Sequence, residues 1–262
     1  MTVFGVFNPI YSLAGFFVGT LVGLTGVGGG SLMTPLLVLL FGVHPATAIG
    51  TDLLYAALTK SVGTLVHGFS GTVDWRIVRR LAAGSLPAAA MTLLMLEHLG
   101  VADGQASALL NRALGIALLL TSLTLAFRPK LVAWAQKRFG RFDLGQSAWP
   151  TALAGALLGL LVSLSSVGAG AIGVTFLVVL YPRLSTVRIV GSDIAHAVPL
   201  ALLAGAGHWL LGSVDFPLLG ALLVGSIPGI ILGSRLSALV PDLALRPVLA
   251  VVLALVGGRL VV

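Results

Sequence analysis

Residues 8–42 read NPIYSLAGFFVGTLVGLTGVGGGSLMTPLLVLLFG and contain no charged side chain. A straight helix of ~34 residues would be ~50 Å long, against a hydrocarbon core of ~30 Å. That is too long for one span and too short for two full spans with a turn between them. The stretch also has a soft centre, Gly26-Val27-Gly28-Gly29-Gly30. It reads as two short helices meeting at an unwound, glycine-rich break. A second such stretch, QSAWPTALAGALLGLLVSLSSVGAGAIGVTFLVVLYP, fills residues 146–182, with Ser163-Leu164-Ser165-Ser166-Val167-Gly168-Ala169-Gly170 at its centre.

The two stretches are copies. Residues 13–41 shifted by 140 positions align with 153–181, and thirteen of 29 positions are identical, among them Gly28/Gly168 and Gly30/Gly170. Residues 50–87 shifted by 141 match at eleven of 38 positions, including Asp52/Asp193, His67/His208, Asp74/Asp215 and Gly84-Ser85/Gly225-Ser226. The remaining apolar runs lie at 46–67, 77–96, 109–127, 189–211, 217–234 and 244–262, most of them near the ~20 residues that span a bilayer. The chain therefore divides into a first repeat, 1–127, a basic polar linker, 128–147, and a second repeat, 148–262.

Composition agrees. Of the 262 residues 58% are hydrophobic and 9% charged, where a soluble domain carries roughly 25% charged residues. This excludes a soluble enzyme, a nucleic-acid-binding domain and a disordered chain. The absence of cysteine removes disulfides, thiolate metal sites and cysteine nucleophiles. No cleavable signal peptide is evident, because the first apolar stretch has no basic region before it. The net charge of +7 reads first as a topology signal. If each long stretch crosses once, the halves are parallel and nine of the 15 basic residues lie on the linker side, with Arg112, Arg183, Arg188, Arg235 and Arg246 opposite. If each is a re-entrant hairpin, every half has three full spans and the second half is inverted. Twelve of the 15 basic residues then share the linker side, and Arg112 and Arg259 lie opposite. The excess of Lys and Arg in cytoplasmic loops favours the second arrangement. The expected fold is an all-α polytopic membrane protein with two inverted-topology repeats, each a broken-helix re-entrant hairpin plus three transmembrane helices.

Inverted repeats with broken helices place a substrate near the midplane, where the breaks meet. A break frees backbone N–H groups, and a helix N-terminus attracts anions through those groups and its dipole. Gly28, Gly29 and Gly30, with Gly168 and Gly170, are the expected backbone of such a site. Thr25, Ser31, Thr51, Ser165, Ser166 and Ser192 are the expected hydroxyl donors. Ionisable groups inside spans are costly and point to function. Asp52 and Lys60 lie on one segment and Asp193 on its copy, where Lys60 has Ala201 as its counterpart. For the two aspartates, N-terminal capping of a helix is the competing reading. Lys60 is two turns from Asp52 and is assigned either to that carboxylate or to a substrate anion. His67, His196 and His208 are candidates for proton coupling, with capping near a loop as the competing reading for the His67/His208 pair. Trp75, Trp134, Trp149 and Trp209 fall near segment ends, as in an interfacial belt. No cofactor is implied, and no close His/carboxylate cluster suggests a metal.

These residues resemble the sulfite exporter TauE/SafE family of bacterial membrane proteins. The resemblance rests on Gly15-x-x-x-Gly19-x-x-x-Gly23-Leu24-x-Gly26-x-Gly28-Gly29-Gly30 and Pro35-Leu36-Leu37. It continues through His44-Pro45-Ala46-x-Ala48-x-Gly50-Thr51-Asp52, His67-Gly68-x-x-Gly71-x-Val73-Asp74-Trp75 and Gly84-Ser85-x-Pro87. It covers nearly the whole chain, with a degraded copy in the second half. Gly-Thr-Asp stands here where Gly-Thr-Ser is common in the family. The resemblance implies a multi-pass protein of the bacterial inner membrane that exports small sulfur-containing anions, such as sulfite, sulfoacetate or other organosulfonates, by alternating access. Its partners would be a small anionic solute and the bilayer, with no nucleic acid; a homodimer is a candidate assembly. The alternatives are a passive anion channel and an intramembrane Ser/His hydrolase, the latter disfavoured because His67 and His208 are duplicated with the repeat.

Overall fold

The computed structural model describes residues 9–25, 30–69, 71–100, 106–139, 148–236 and 242–261. Among these the chain forms ten helices: α1 (Pro9–Thr25), α2 (Gly30–Leu39), α3 (Pro45–Phe69), α4 (Trp75–His98), α5 (Ser107–Phe139), α6 (Ala148–Ser165), α7 (Ala171–Leu180), α8 (Thr186–Leu210), α9 (Phe216–Leu236) and α10 (Asp242–Val261). Five of them, in α4, α5, α6, α8 and α9, are long and apolar enough to cross a membrane. Large apolar side chains such as Met91, Leu120, Leu210 and, on α10, Leu255 are exposed. Such a surface is unfavourable in water and natural against lipid. The protein is a multi-pass membrane protein.

Each long uncharged stretch is divided into two helices. In the second half the division lies at 166–170, where Ser166 has φ 59°, Gly168 φ 130° and Gly170 φ 131°. L-residues avoid these conformations, so the glycines permit the break, and Ser166 is held in a strained one. The corresponding break in the first half, with Gly28 and Gly29, lies outside the described residues. Both stretches fold back on themselves. The Tyr181 hydroxyl, just past α7, is 2.6 Å from Thr151 Oγ1 in the first turn of α6. At the equivalent positions of the first half, the Tyr11 and Phe41 rings meet edge to face at 5.0 Å. The end of each stretch therefore lies against its beginning.

The packing repeats when the halves are exchanged. A Cβ on Gly15 or Gly19 of α1 would strike the backbone of Leu222 or Ser226 on α9; at the equivalent positions, Gly155 and Gly159 of α6 approach Leu81 and Ser85 of α4. In return Gly225 lies on Ser12, and Gly84 on Ala152. Only glycine allows backbones this close, the usual device where helices pack without a hydrophobic driving force. Loops follow the same rule. The Asp215 N–H donates to Thr51 Oγ1 at 3.0 Å, and the Asp74 N–H donates to Ser192 Oγ at 2.9 Å. Equivalent helices also meet each other. Gly50 packs on His208 and Ser213, while Gly205 packs on Leu54, so α3 and α8 run in opposite senses. Gly115 approaches Gly257, and Ser122 Oγ donates to the Ala250 carbonyl at 2.7 Å, so α5 and α10 do likewise.

α5 continues through Pro129 to Phe139, so the first part of the basic stretch is helical. At 33 residues it is ~50 Å long. It carries Lys137 and Arg138 ~45 Å from its start, beyond the ~30 Å thickness of a hydrocarbon core.

Candidate functional site

The buried polar residues concentrate where α3 and α8 cross the two hairpins. Asp52 is fully buried, with 0% exposure, and Asp193 has 1%. Neither caps its helix. α8 is capped by Ser185, whose side chain accepts the Arg188 N–H. The capping carboxylates are instead Asp74, bonded to the N–H groups of Arg76 and Ile77, and Asp215, bonded to that of Leu218. Asp52 and Asp193 lie more than a turn into their helices and face the interior.

Each carboxylate meets a hairpin's second helix, Asp52 at the middle of α2 and Asp193 at the start of α7. The Thr34 hydroxyl of α2 donates to Asp52 Oδ2 at 2.5 Å. Asp193 lies against the Gly170 backbone at the start of α7, and a Cβ on Gly173 would overlap Asp193 Oδ1. Ser166, in the second break, faces Asp52. Yet Asp52 Oδ1, Asp193 Oδ1 and Ser166 Oγ complete no hydrogen bond. Buried polar atoms are ordinarily satisfied, and each orphan is costly.

Lys60 lies two turns beyond Asp52, and its Nζ donates to the Ala169 carbonyl at 3.0 Å. That carbonyl belongs to the second break, between Gly168 and Gly170. The ammonium thus reaches the other half of the molecule, within electrostatic range of both carboxylates. A lysine on one helix, two symmetry-related aspartates and the open backbone of a break converge on one region.

The other expected residues separate into groups. Thr51 and Ser192 are buried, and their hydroxyls accept the Asp215 and Asp74 N–H groups. Ser165 Oγ donates to the Leu161 carbonyl at 2.6 Å and accepts the Val167 N–H at 3.2 Å, bracing the turn out of α6. Ser31 is buried in α2. Gly30 begins α2 and Thr25 ends α1; their surroundings, and the His67 side chain on α3, lie outside the described residues. His208 is buried, and its Nε2 lies 2.9 Å from the Ser163 carbonyl, which ties α8 to α6 rather than to a loop. His196 Nε2 is 2.8 Å from Ser85 Oγ on α4. Nδ1 of both rings has no partner.

Sequence reasoning missed Thr34, Ser85, Ser163 and Gly173. Ser85 carried a signal, since Gly84-Ser85 recurs as Gly225-Ser226. Thr34 carried none, because its role depends on how α2 leans on α3.

The chain matches the family described as sulfite exporter TauE/SafE over residues 11–260. It is 37% identical over 213 residues to the probable membrane transporter protein YjnA of Bacillus subtilis (strain 168), covering 81% of this chain and 83% of that protein. Identity to the probable membrane transporter protein YdhB of the same organism is 28% over 216 residues, 80% of this chain and 82% of that one. With the probable membrane transporter protein YunE it is 41% over 70 residues, 27% of this chain and 26% of that one. No solved structure matches the chain. With its broken helices, buried charges and lipid-facing surface, the chain belongs to the sulfite exporter TauE/SafE family of membrane transporters.

Proposed function

We propose that the protein moves small sulfur-containing anions, sulfite or organosulfonates, across the bacterial inner membrane by alternating access. The two halves stand in inverted topology, and the solute binds between the two hairpin breaks. The antiparallel crossings of α3 with α8 and of α5 with α10 support inversion. A two-fold axis along the membrane normal would leave equivalent helices parallel, whereas an axis in the membrane plane makes them antiparallel. The observation that carries the transport reading is the convergence of Lys60 on the Ala169 carbonyl beside two buried carboxylates with unpartnered oxygens. Ionisable groups inside a membrane that pair across a pathway mark a route for charged solutes. A sulfonate suits this place: its three oxygens accept N–H groups from the α7 start and from Lys60 together.

Counterflow tests this reading. Proteoliposomes preloaded with unlabelled solute should take up labelled isethionate, methanesulfonate or sulfite, and protein-free liposomes should not. Absence of exchange for every anion of the panel would refute it, and flux without trans-stimulation would point to a channel.

The Ser85–His196 contact favours a second reading, the intramembrane hydrolase. Ser85 is fully buried where α4 packs on α6, so a substrate bond reaches it only if those helices part. Its counterpart pair, Ser226 and Tyr55, has no histidine. This suits a packing contact that differs between the halves better than a catalytic one. A fluorophosphonate that labels Ser85 would reverse that judgement.

A further inference from the structure

Resting on the anion-transport reading, we infer that Asp52 and Asp193 are surrogate anions, holding the solute's own positions until each is relieved by a proton, so that a monoanion crosses with one proton. The geometry supplies the first half of the argument. Asp193 lies at the start of α7, against Gly170, where backbone N–H groups and the helix dipole favour negative charge. Asp52 takes the Thr34 hydroxyl of α2. These are the donors a sulfonate would use. Each carboxylate keeps one oxygen, Oδ1, buried and without a partner. Neither is locked in place by a full set of bonds, and both can be displaced.

Charge supplies the second half. Among the described residues, the titratable groups that face the carboxylates are few. α3 contributes Lys60 and Tyr55, and α8 contributes His196, bonded to Ser85 of α4. His208 stands farther along α8, on Ser163. α2, α6 and α7 present hydroxyl and backbone groups. Two ionised carboxylates and one ammonium sum to one negative charge. A net charge held away from water is strongly unfavourable, so the empty site holds one proton on the pair. A monoanion entering beside Lys60 restores the excess negative charge, and a second proton on the remaining carboxylate cancels it. Between empty and loaded states the site gains one anion and one proton. Net transport is electroneutral symport, and nothing is oxidised or reduced.

The test uses wild-type protein in proteoliposomes with isethionate and methanesulfonate, both permanently ionised monoanions. A pH difference of one unit, acid outside, should accumulate each about tenfold, because 1.36 kcal/mol per proton is a tenfold ratio. A valinomycin-set potential at equal pH should accumulate neither. The double variant D52N/D193N, whose carboxamides take up no proton, should lose the pH-driven accumulation; if it does not fold, the wild-type ratios decide alone. Accumulation that follows potential and ignores pH, or that needs a sodium gradient, would overturn the inference while counterflow keeps the transport reading intact. PH-driven accumulation that survives in the double variant would overturn it too. If neither anion exchanges in counterflow, the inference falls together with the reading it rests on.

Discussion

Replacing Lys60 by Met should abolish transport while leaving the fold nearly as stable. The side chain bridges the halves through a single bond to the Ala169 carbonyl. It is also the only Lys or Arg of α3, α2 and α7, while α8 has only the exposed Arg188 in its first turn. In the variant an arriving anion meets two carboxylates and no positive charge. Truncating one partner of a buried charge pair costs about 3–5 kcal/mol, which is roughly a hundredfold to a few thousandfold in solute affinity. The folded state loses less. Its two carboxylates can take up protons, leaving mainly one lost hydrogen bond, of about 1 kcal/mol. Counterflow of labelled isethionate and the Tm of the same detergent-solubilised preparation separate the two effects. Normal counterflow would show the charge to be dispensable.

The second large effect is expected at the second break. Gly170 has φ 131° and stands beside Asp193. A side chain there is strained by about 1–3 kcal/mol, and relief comes by moving the start of α7, which carries the proposed anion donors. Gly170→Ala should therefore lower solute affinity at least about tenfold, the ratio that 1.4 kcal/mol produces. Gly173→Ala should act similarly for a different reason, since its methyl group would occupy the place of Asp193 Oδ1. Strain alone could mimic lost binding, and Gly212 controls for it. That residue also has positive φ, 72°, but no atom lies within 4 Å of an added Cβ. Gly212→Ala should lower Tm by a similar amount and leave Kd for isethionate unchanged. Equal loss of binding in the Gly170 and Gly212 variants would mean that the break has no special role.

How much of this was legible in the sequence depends on the distance over which each fact is decided. Local facts were readable. An uncharged stretch of 35 residues with glycines at its centre has few ways to sit in a bilayer, and the described second break shows the division into α6 and α7. The repeat was readable because both copies retained the glycines that their packing requires, as at Gly84 and Gly225. Partners across the molecule were not. Lys60 was assigned to Asp52 or to solute, and it bonds a carbonyl 109 residues away. By sequence position Asp52 and Asp193 suit a cap as well as a site, yet the capping carboxylates are Asp74 and Asp215. Thr51 and Ser192 read as solute donors, and nothing in the sequence shows that their hydroxyls also accept the N–H groups of the loops before α9 and α4. Helical periodicity gives the face on which a residue lies, but it carries no information on which residue of a remote helix stands opposite. That register is set by glycine contacts between the halves, which only the folded chain displays.

Alternating access between these two halves requires that they be upside down relative to each other. Single-cysteine accessibility tests this most directly, because the chain has no cysteine of its own. Arg138 at the end of α5, Arg183 after α7 and Phe216 at the start of α9 are all exposed. In intact cells, cysteines replacing Arg138 and Arg183 should be protected from a membrane-impermeant maleimide and should react once the membrane is opened. A cysteine replacing Phe216 should react from outside. Labelling of the Arg183 position from outside, with the Arg138 position still protected, would mean that the halves are parallel and would contradict the account.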